Sequence, residues 1–398
     1  MEQRIALVSA FPPGQKSLNE YGLHLAKGLA DRSDVNEVVV VSDVLDQPAP
    51  ELDLGPKVRV DRVWRFNDPL SALRINNALI KHKVTAALWN LQTATFGDRE
   101  IPAALGHFAP PLARALGFQS GVIAHNIIAG IDLEKTQLRG QKMRQAIVRL
   151  GASLACRAML AANYTTVTLQ GYYEHIRETY PDADIHLVPH GTFDAACSNL
   201  CALAERPKRI VTMGKFGTYK RLDTLLEAFD ILRSDPQYQD YELIIGGTDH
   251  PSTPGYMANL KAQREGDSGV LFHGYVAEED VAAFFSTARL SVFDYTATTG
   301  SSGVLHQAAS YGVVPVFPRI GDFVDLCRDE GLEGAHYEAS DAASLAEAMR
   351  RVLEDLPSAQ RYADANVQVA KGMPFSDVID FHAQRLLVHA GEAVAKPA

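Results

Sequence analysis

Residues 209–229 read RIVTMGKFGTYKRLDTLLEAF. Ile210, Val211 and Met213 form an apolar strand that stops at Gly214. Leu222, Leu225, Leu226 and Phe229 then recur at helical spacing. The irregular loop between them carries Lys215 and Lys220. A strand that feeds a helix through a short turn is the repeating unit of a parallel α/β sheet. The free N–H groups of the helix start and the two ammonium groups would act on one anion, so a diphosphate is the predicted ligand. The alternative reading is a pair of solvated surface lysines.

The same alternation extends in both directions. Toward the N-terminus, strands are predicted at 4–10, 37–41, 58–64, 86–89, 121–125, 165–169 and 186–188, with a helix from about Leu18 to Asp31. Toward the C-terminus, strands at 242–245, 270–272, 290–292 and 314–317 alternate with helices near 222–234, 253–265, 278–287 and 303–310. Near-continuous β-branched runs belong to parallel sheets covered on both faces. A chain of 398 residues also exceeds what one hydrophobic core supports. The predicted fold is therefore α/β, with two Rossmann-like doubly wound domains facing a central cleft. Residues 1–193 form the first domain and 194–372 the second, and a C-terminal helical segment, 373–398, packs back on the first.

Composition narrows the function. Hydrophobic residues make up 46% and charged residues 22%, as in an ordinary globular protein. A net charge of -10 opposes general binding of nucleic acid. Cys156, Cys197, Cys201 and Cys327 are scattered, as in reduced cytosolic proteins, and form no zinc set with His190. The start MEQRIALVSAFPPG lacks a basic leader, and no later run is long enough to span a bilayer. A cytoplasmic location is expected.

Four further loops follow predicted strands. Pro12-Pro13-Gly14-Gln15 precedes a helix, so it is either a simple turn or a set of N–H donors for phosphate or sugar. His125-Asn126 sits at a strand end, where the imidazole is either structural or a hydrogen-bonding group for a ligand. Pro189-His190-Gly191 is a hinge turn or a contact to the donor. Gly300-Ser301-Ser302-Gly303 opens a helix and offers another cluster of N–H groups.

Taken in order, P-P-G, H-N, P-H-G, G-K-x4-K, G-G, H-G-Y-V and SSGVLHQAASYGVVPV resemble the retaining glycosyltransferases of family 4, which have the two-Rossmann GT-B architecture. The resemblance spans nearly the whole chain, and its specific part is the C-terminal half. It implies that Lys215 and Lys220 hold the diphosphate and stabilise it as it leaves, and that His125 lies near the donor sugar and reacting carbon. By the same resemblance Tyr275 and Val276 hold the base, while Gly300, Ser301, Ser302, Gly303 and Val304 contact sugar and phosphates. Gly14, with Gln15, belongs to the loop that approaches donor and acceptor. Where the family shows two glutamates separated by seven residues, this chain has Thr299 and Gln307. Gln307 keeps a carbonyl acceptor for the ribose hydroxyls but not the charge.

Breaking a sugar–diphosphate bond develops negative charge on the leaving group, which preorganised cations and N–H donors stabilise. Two lysines supply that charge, so no metal and no cofactor is expected; the nucleoside-diphosphate sugar is a co-substrate. Asp182-Ala183-Asp184 precedes a strand and reads as a solvated turn. Lys135, Arg139, Lys142, Arg144, Arg149 and Arg157 fall in a stretch with no acidic residue. Met143, Ile147, Leu150 and Leu154 are expected to pack one helix face there and leave a basic one. That face either pairs with neighbouring acids or attracts an anionic acceptor or membrane leaflet.

The predicted function is a retaining, metal-independent glycosyltransferase that moves a sugar from a nucleoside-diphosphate donor to a glycan or lipid-linked acceptor; peripheral contact of the basic segment 135–157 with the inner membrane face is the alternative to a solvated face. The alternative is a catalytically silent GT-B scaffold in glycan assembly, which the missing carboxylates motivate. An epimerase would show a carboxylate-rich site, and a phosphorylase a pyridoxal lysine in a longer chain; neither is found.

Overall fold

The computed structural model describes residues 3–14, 16–50, 52–127, 142–193, 200–297 and 300–392. Gln15, Thr299, Lys135 and Arg139 lie outside them, as do the side chains of Met143, Arg144 and Ile147. The chain divides into two compact units, Met1–Pro189 with Ser376–Ala398, and His190–Phe375. The boundaries thus fall a few residues from the 193 and 372 read from the sequence. Phe193 packs edge-on against Phe375 at 5.0 Å, and Thr192 bridges Pro374, which ties both crossing segments into the second unit.

The first unit contains β1 (Arg4–Val8), α1 (Asn19–Asp31), β2 (Glu37–Asp43), β3 (Val58–Trp64), α2 (Ser71–His82), β4 (Ala86–Leu91), α3 (Glu100–Gly106) and α4 (Ala109–Ala115). It continues with β5 (Gln119–Ala124), α5 (Lys142–Leu160), β6 (Tyr164–Val167), α6 (Gln170–Thr179) and β7 (Ile185–Leu187). The strand order is β3-β2-β1-β4-β5-β6-β7, and every pair is parallel. Central β4 is buried at every position, whereas edge strand β3 carries the exposed Arg59 and the half-buried Arg62. That gradient follows from helices covering both faces of the middle strands.

The second unit contains β8 (Arg209–Phe216), α7 (Asp223–Arg233), β9 (Glu242–Asp249), α8 (Tyr256–Gln263), β10 (Val270–Gly274), α9 (Glu278–Ser286) and β11 (Leu290–Val292). Next come α10 (Gly303–Ser310), β12 (Val314–Pro318), α11 (Gly321–Glu330), β13 (Ala335–Tyr337), α12 (Ala342–Glu354) and α13 (Leu356–Gly372). Its parallel order is β10-β9-β8-β11-β12-β13. The order reverses between β1 and β4 in the first sheet and between β8 and β11 in the second. Ligands of such sheets bind beyond the carboxyl ends of the strands at these switch points.

The last helix, α14 (Phe375–Glu392), returns to the first unit. His382 Nδ1 meets the Tyr164 hydroxyl at 3.0 Å, Arg32 pairs with Asp380, and Gly28 leaves the room that Ile379 fills.

Helix α5 differs from its sequence reading. Leu150 and Leu154 are exposed, and the buried residues among those described are Gln145, Ala152, Ala155, Cys156, Ala158 and Met159. Small residues let this helix lie close to its neighbours, so the leucines point outward.

Strands β8 and β9 approach unusually closely at Gly214 and Gly247. Gly247 has φ +136, and a Cβ there would fall 1.9 Å from the Gly214 carbonyl oxygen. Gly247→Ala is therefore expected to cost about 3 kcal/mol or more of stability, visible in thermal melts followed by circular dichroism. An unchanged melting temperature would contradict this packing.

Candidate active site

The β8 strand runs on through Lys215 to Phe216, so Lys215 sits in the sheet rather than in the loop, opposite Thr248 of β9. The loop proper is Gly217–Leu222, and it is pinned to the segment after β11. Lys220 forms an antiparallel bridge with Tyr295. On either side, Thr296 N donates to Tyr219 O at 2.8 Å and Arg221 N to Asp294 O at 2.7 Å. The Asp294 carboxylate also accepts from Leu225 N at 3.0 Å, in the first turn of α7. Burial raises the Asp294 pKa above the ordinary carboxylate value, against the hydrogen bonds from Leu225 and Thr224.

The loop thereby places Lys220 at the switch point between β8 and β11. Its ammonium lies 4.8 Å from the Tyr295 ring centroid and 5.9 Å from that of Tyr219. Its stem crosses Gly214, where a Cβ would come within 3.2 Å of Lys220 Cδ. An aromatic face attracts the ammonium through the ring quadrupole. His250, just beyond β9, senses both lysines: burial first, then the charges of Lys215 and Lys220, lower its pKa. Its Nδ1 accepts from Ser252 N at 3.2 Å, so the proton resides on Nε2.

A third element is the N-terminus of α10. Ser302 caps it, its hydroxyl accepting from Leu305 N at 3.4 Å. Gly300 adopts φ +94 and donates its N–H to Asp322 Oδ2 at 3.1 Å. Ser301 and Val304 are half-buried, and Gln307 is buried one turn along α10. Tyr275 is exposed after β10, whereas the Val276 side chain is committed to the core with Phe284. A ligand could meet only the Val276 backbone. Gly303 packs against His190, with 3.2 Å from a would-be Cβ to His190 Nε2.

In the first unit the switch point is organised by Asn90 of β4. Its amide donates to Ser9 Oγ at 2.9 Å and Leu18 O at 3.2 Å, so its oxygen faces His125 Nε2 at 2.7 Å. His125 therefore carries its proton on Nε2. The Tyr21 ring stands edge-on at 4.4 Å. The loop that ends at Gly14 is held by Arg62, which donates to Pro12 O at 2.6 Å and Asp43 O at 3.0 Å. Buried Asp43 pairs with Lys16 at 2.9 Å. The sequence reading missed Asn90, Asp43, Arg62, His250 and Asp322. Each is a single residue, without a motif, that acts on a motif from another strand.

Lys215, Lys220 and the α10 N-terminus thus belong to the second unit, together with Tyr275 and His190. His125 and Gly14 belong to the first. Among the described residues, no three His, Cys, Asp or Glu side chains gather in a way that could hold a metal ion.

Residues 207–355 match the family model described as Glycosyl transferases group 1. No curated protein matches the sequence. Among solved structures, the sucrose-phosphate synthase of Thermosynechococcus elongatus is 18% identical with a TM-score of 0.72, over 98% of this chain and 100% of that one. Anabaena HepE, in complex with UDP and glucose, is 16% identical with a TM-score of 0.68, over 98% and 100% of the two chains. The UDP-forming α,α-trehalose-phosphate synthase of Burkholderia xenovorans, in complex with glucose-6-phosphate, is 12% identical with a TM-score of 0.68, over 97% and 100%. The fold is that of the GT-B glycosyltransferases, two Rossmann-like domains, and the match to the group 1 glycosyltransferase model lies within the second of them.

Burial pushes the pKa of His125 down to about 3 from 6.5. Burial, then His125, Arg385 and His186, does the same for His382, also to about 3. The unfolded chain takes up these protons below pH 6.5, and the folded chain does not until about pH 3. Acid therefore favours unfolding, by up to about 1.4 kcal/mol per pH unit for each group. The melting temperature is expected to fall between pH 7 and pH 5, with both rings neutral by NMR. An imidazolium signal from His125 above pH 5 would contradict the assignment.

Proposed function

We propose that the chain is a retaining, family-4-like glycosyltransferase that moves a hexosyl group from a nucleoside-diphosphate sugar to a glycan or lipid-linked acceptor. The observation that carries this reading is Lys220, fixed between Gly214 and Tyr295 at the β8/β11 switch point, where Lys215 and the α10 N-terminus also contribute positive potential. A uridine diphosphate sugar is the first donor to test, because similar structures are described with UDP.

Cleavage of the sugar–diphosphate bond leaves negative charge on the β-phosphate. Lys215, Lys220 and the N–H groups at the α10 N-terminus beyond Gly300, whose own N–H is given to Asp322, would stabilise that charge without moving, which is where most catalytic advantage arises. These groups supply the counter-charge that a divalent cation would otherwise bring, so the reaction is proposed to run without metal. Gln307 would accept from the ribose, and Tyr275 would flank the base. His125, neutral and with Nε2–H already given to Asn90, would act on the sugar as a hydrogen-bonding group rather than as a titrating base. The acceptor would be served by the first unit, through the loop ending at Gly14.

Lys220→Ala is expected to lower kcat/KM at least about 100-fold in a donor-turnover assay, since a charge-assisted contact to the leaving group is lost. The melting temperature should hold and EDTA should have no effect. Full activity in the variant would sink the proposal. Donor binding without any turnover would favour the silent scaffold that Gln307 and Thr299 suggest.

We also propose that the chain works at an anionic membrane surface in the cytoplasm. No helix among the described residues is long and apolar enough to cross a membrane. On neighbouring α3 and α5, Ile101 is 72% and Leu150 62% exposed, with Leu105 and Leu154 exposed beside them. Lys142, Arg149 and Arg157 lie on the same α5, which has no acidic residue. Apolar anchors beside basic residues suit anionic lipid. Sedimentation with phosphatidylserine vesicles is expected, and Leu150→Ser with Arg149→Glu should abolish it. Equal recovery with neutral vesicles would contradict the electrostatic part.

A further inference from the structure

The first turn of α10 contains a buried charge pair that the chemistry above leaves unused. His306 Nε2 lies 2.8 Å from Glu330 Oε2, and its Nδ1 lies 2.9 Å from the Ser302 carbonyl oxygen. A carbonyl and a carboxylate both accept, so the ring donates from both nitrogens and is an imidazolium. Burial works against that charge, but the Glu330 charge and hydrogen bond, with the Ser302 carbonyl, outweigh it and raise the His306 pKa. Both side chains are nearly inaccessible, at 2% and 7% exposure.

The pair continues toward the glycine-serine loop. His190 stacks on His306, with centroids 5.0 Å apart and planes at 19°. His190 Nδ1 donates to Gly191 O at 2.9 Å, and Gly303 fits closely against its other edge. From the end of α11 to the start of α10, Glu330, His306, His190 and Gly303 form one continuous stack.

This arrangement is costly in isolation. A cation in the first turn of a helix opposes the helix dipole. A buried ion pair is often no better than apolar residues of the same volume. An anion bound at the same helix end offsets the first cost, and the proposed donor diphosphate is such an anion. We propose that His306 is a positioning residue for the donor. Held by Glu330, its fixed positive charge reinforces the α10 N-terminus and keeps the Gly300–Gly303 loop, through His190, in the shape that receives the diphosphate. This inference rests on the donor site proposed above.

Among the described residues, the titratable groups around the pair and its loop include Asp322 of α11, whose carboxylate takes the Gly300 N–H. Cys327 lies on α11 beside Glu330, whose charge adds to burial in pushing the thiol up to about 12. His190 faces His306 from the segment after β7. The buried residues of α13 (Ala359, Ala363, Asn366, Val367 and Ala370) do not titrate, nor do those of β12.

The test compares three variants with the wild type by calorimetric titration of pyrophosphate and of UDP. His306→Leu/Glu330→Leu removes the charge and keeps an apolar fill, Glu330→Gln keeps the shape, and Lys220→Ala reports on the site itself. The double variant is expected to melt within a few degrees of the wild type and to bind both probes about tenfold more weakly. Glu330→Gln should show a similar loss even if the double variant fails to fold, and histidine NMR should show His306 of the wild type as an imidazolium at neutral pH. If Lys220→Ala loses affinity while both pair variants bind like the wild type, the inference fails and the donor site stands. A wild type that binds neither probe overturns both, and a neutral His306 overturns the inference.

Discussion

The structure of the second unit turns on a short antiparallel contact between Tyr219–Arg221 and Asp294–Thr296. Two backbone hydrogen bonds and the Asp294 carboxylate fasten the loop after β8 to the loop after β11. A lysine on an untethered loop would pay side-chain and backbone entropy each time it met a ligand. Here the backbone is already fixed and the Lys220 stem is pressed on Gly214 and Tyr295. The parallel topology makes that contact available, because only at the β8/β11 reversal do two strand-end loops diverge to opposite faces.

The two units handle charge in opposite ways. In the second, Lys215, Lys220 and the α10 N-terminus bring positive potential to the strand ends, and the His250 pKa, lowered first by burial, is lowered further by the charges of Lys215 and Lys220. In the first, the β4 and β5 strand ends are lined by neutral groups, Asn90, Ser9, Tyr21 and a His125 whose charge is suppressed by burial, while the charges of Asp43, Lys16 and Arg62 pair around the loop after β1. A polar, uncharged surface suits sugar hydroxyls, and a cationic one suits phosphates. That division agrees with a donor held by its diphosphate in the second unit.

Much of this was legible in the residues themselves. The β-branched runs gave the strands of both sheets, because a strand buried on both faces has almost no room for polar residues. Gly214 with Lys220, and the Gly300–Gly303 run, pointed to the strand ends proposed above to meet the donor, because a lysine and glycine-rich turns at strand ends suit an anion. What stayed hidden depended on tertiary contact. Lys215 was read as a loop residue because Gly214 looks like a stop, yet the paired glycine at 247 lets the strand continue. Leu150 and Leu154 were read as core because their spacing is helical. The sheet instead took the alanines, which the pattern does not distinguish. Glu330 lies 24 positions from His306 with no motif to join them, so only folding reveals the pair.

A crystal structure of the chain grown with UDP tests the central claim most directly. The expected result is a diphosphate oxygen about 2.8 Å from Lys220 Nζ, with further oxygens on the N–H groups at the α10 N-terminus and the base beside Tyr275. UDP bound elsewhere, or a diphosphate turned to solvent and away from Lys220, would contradict the account.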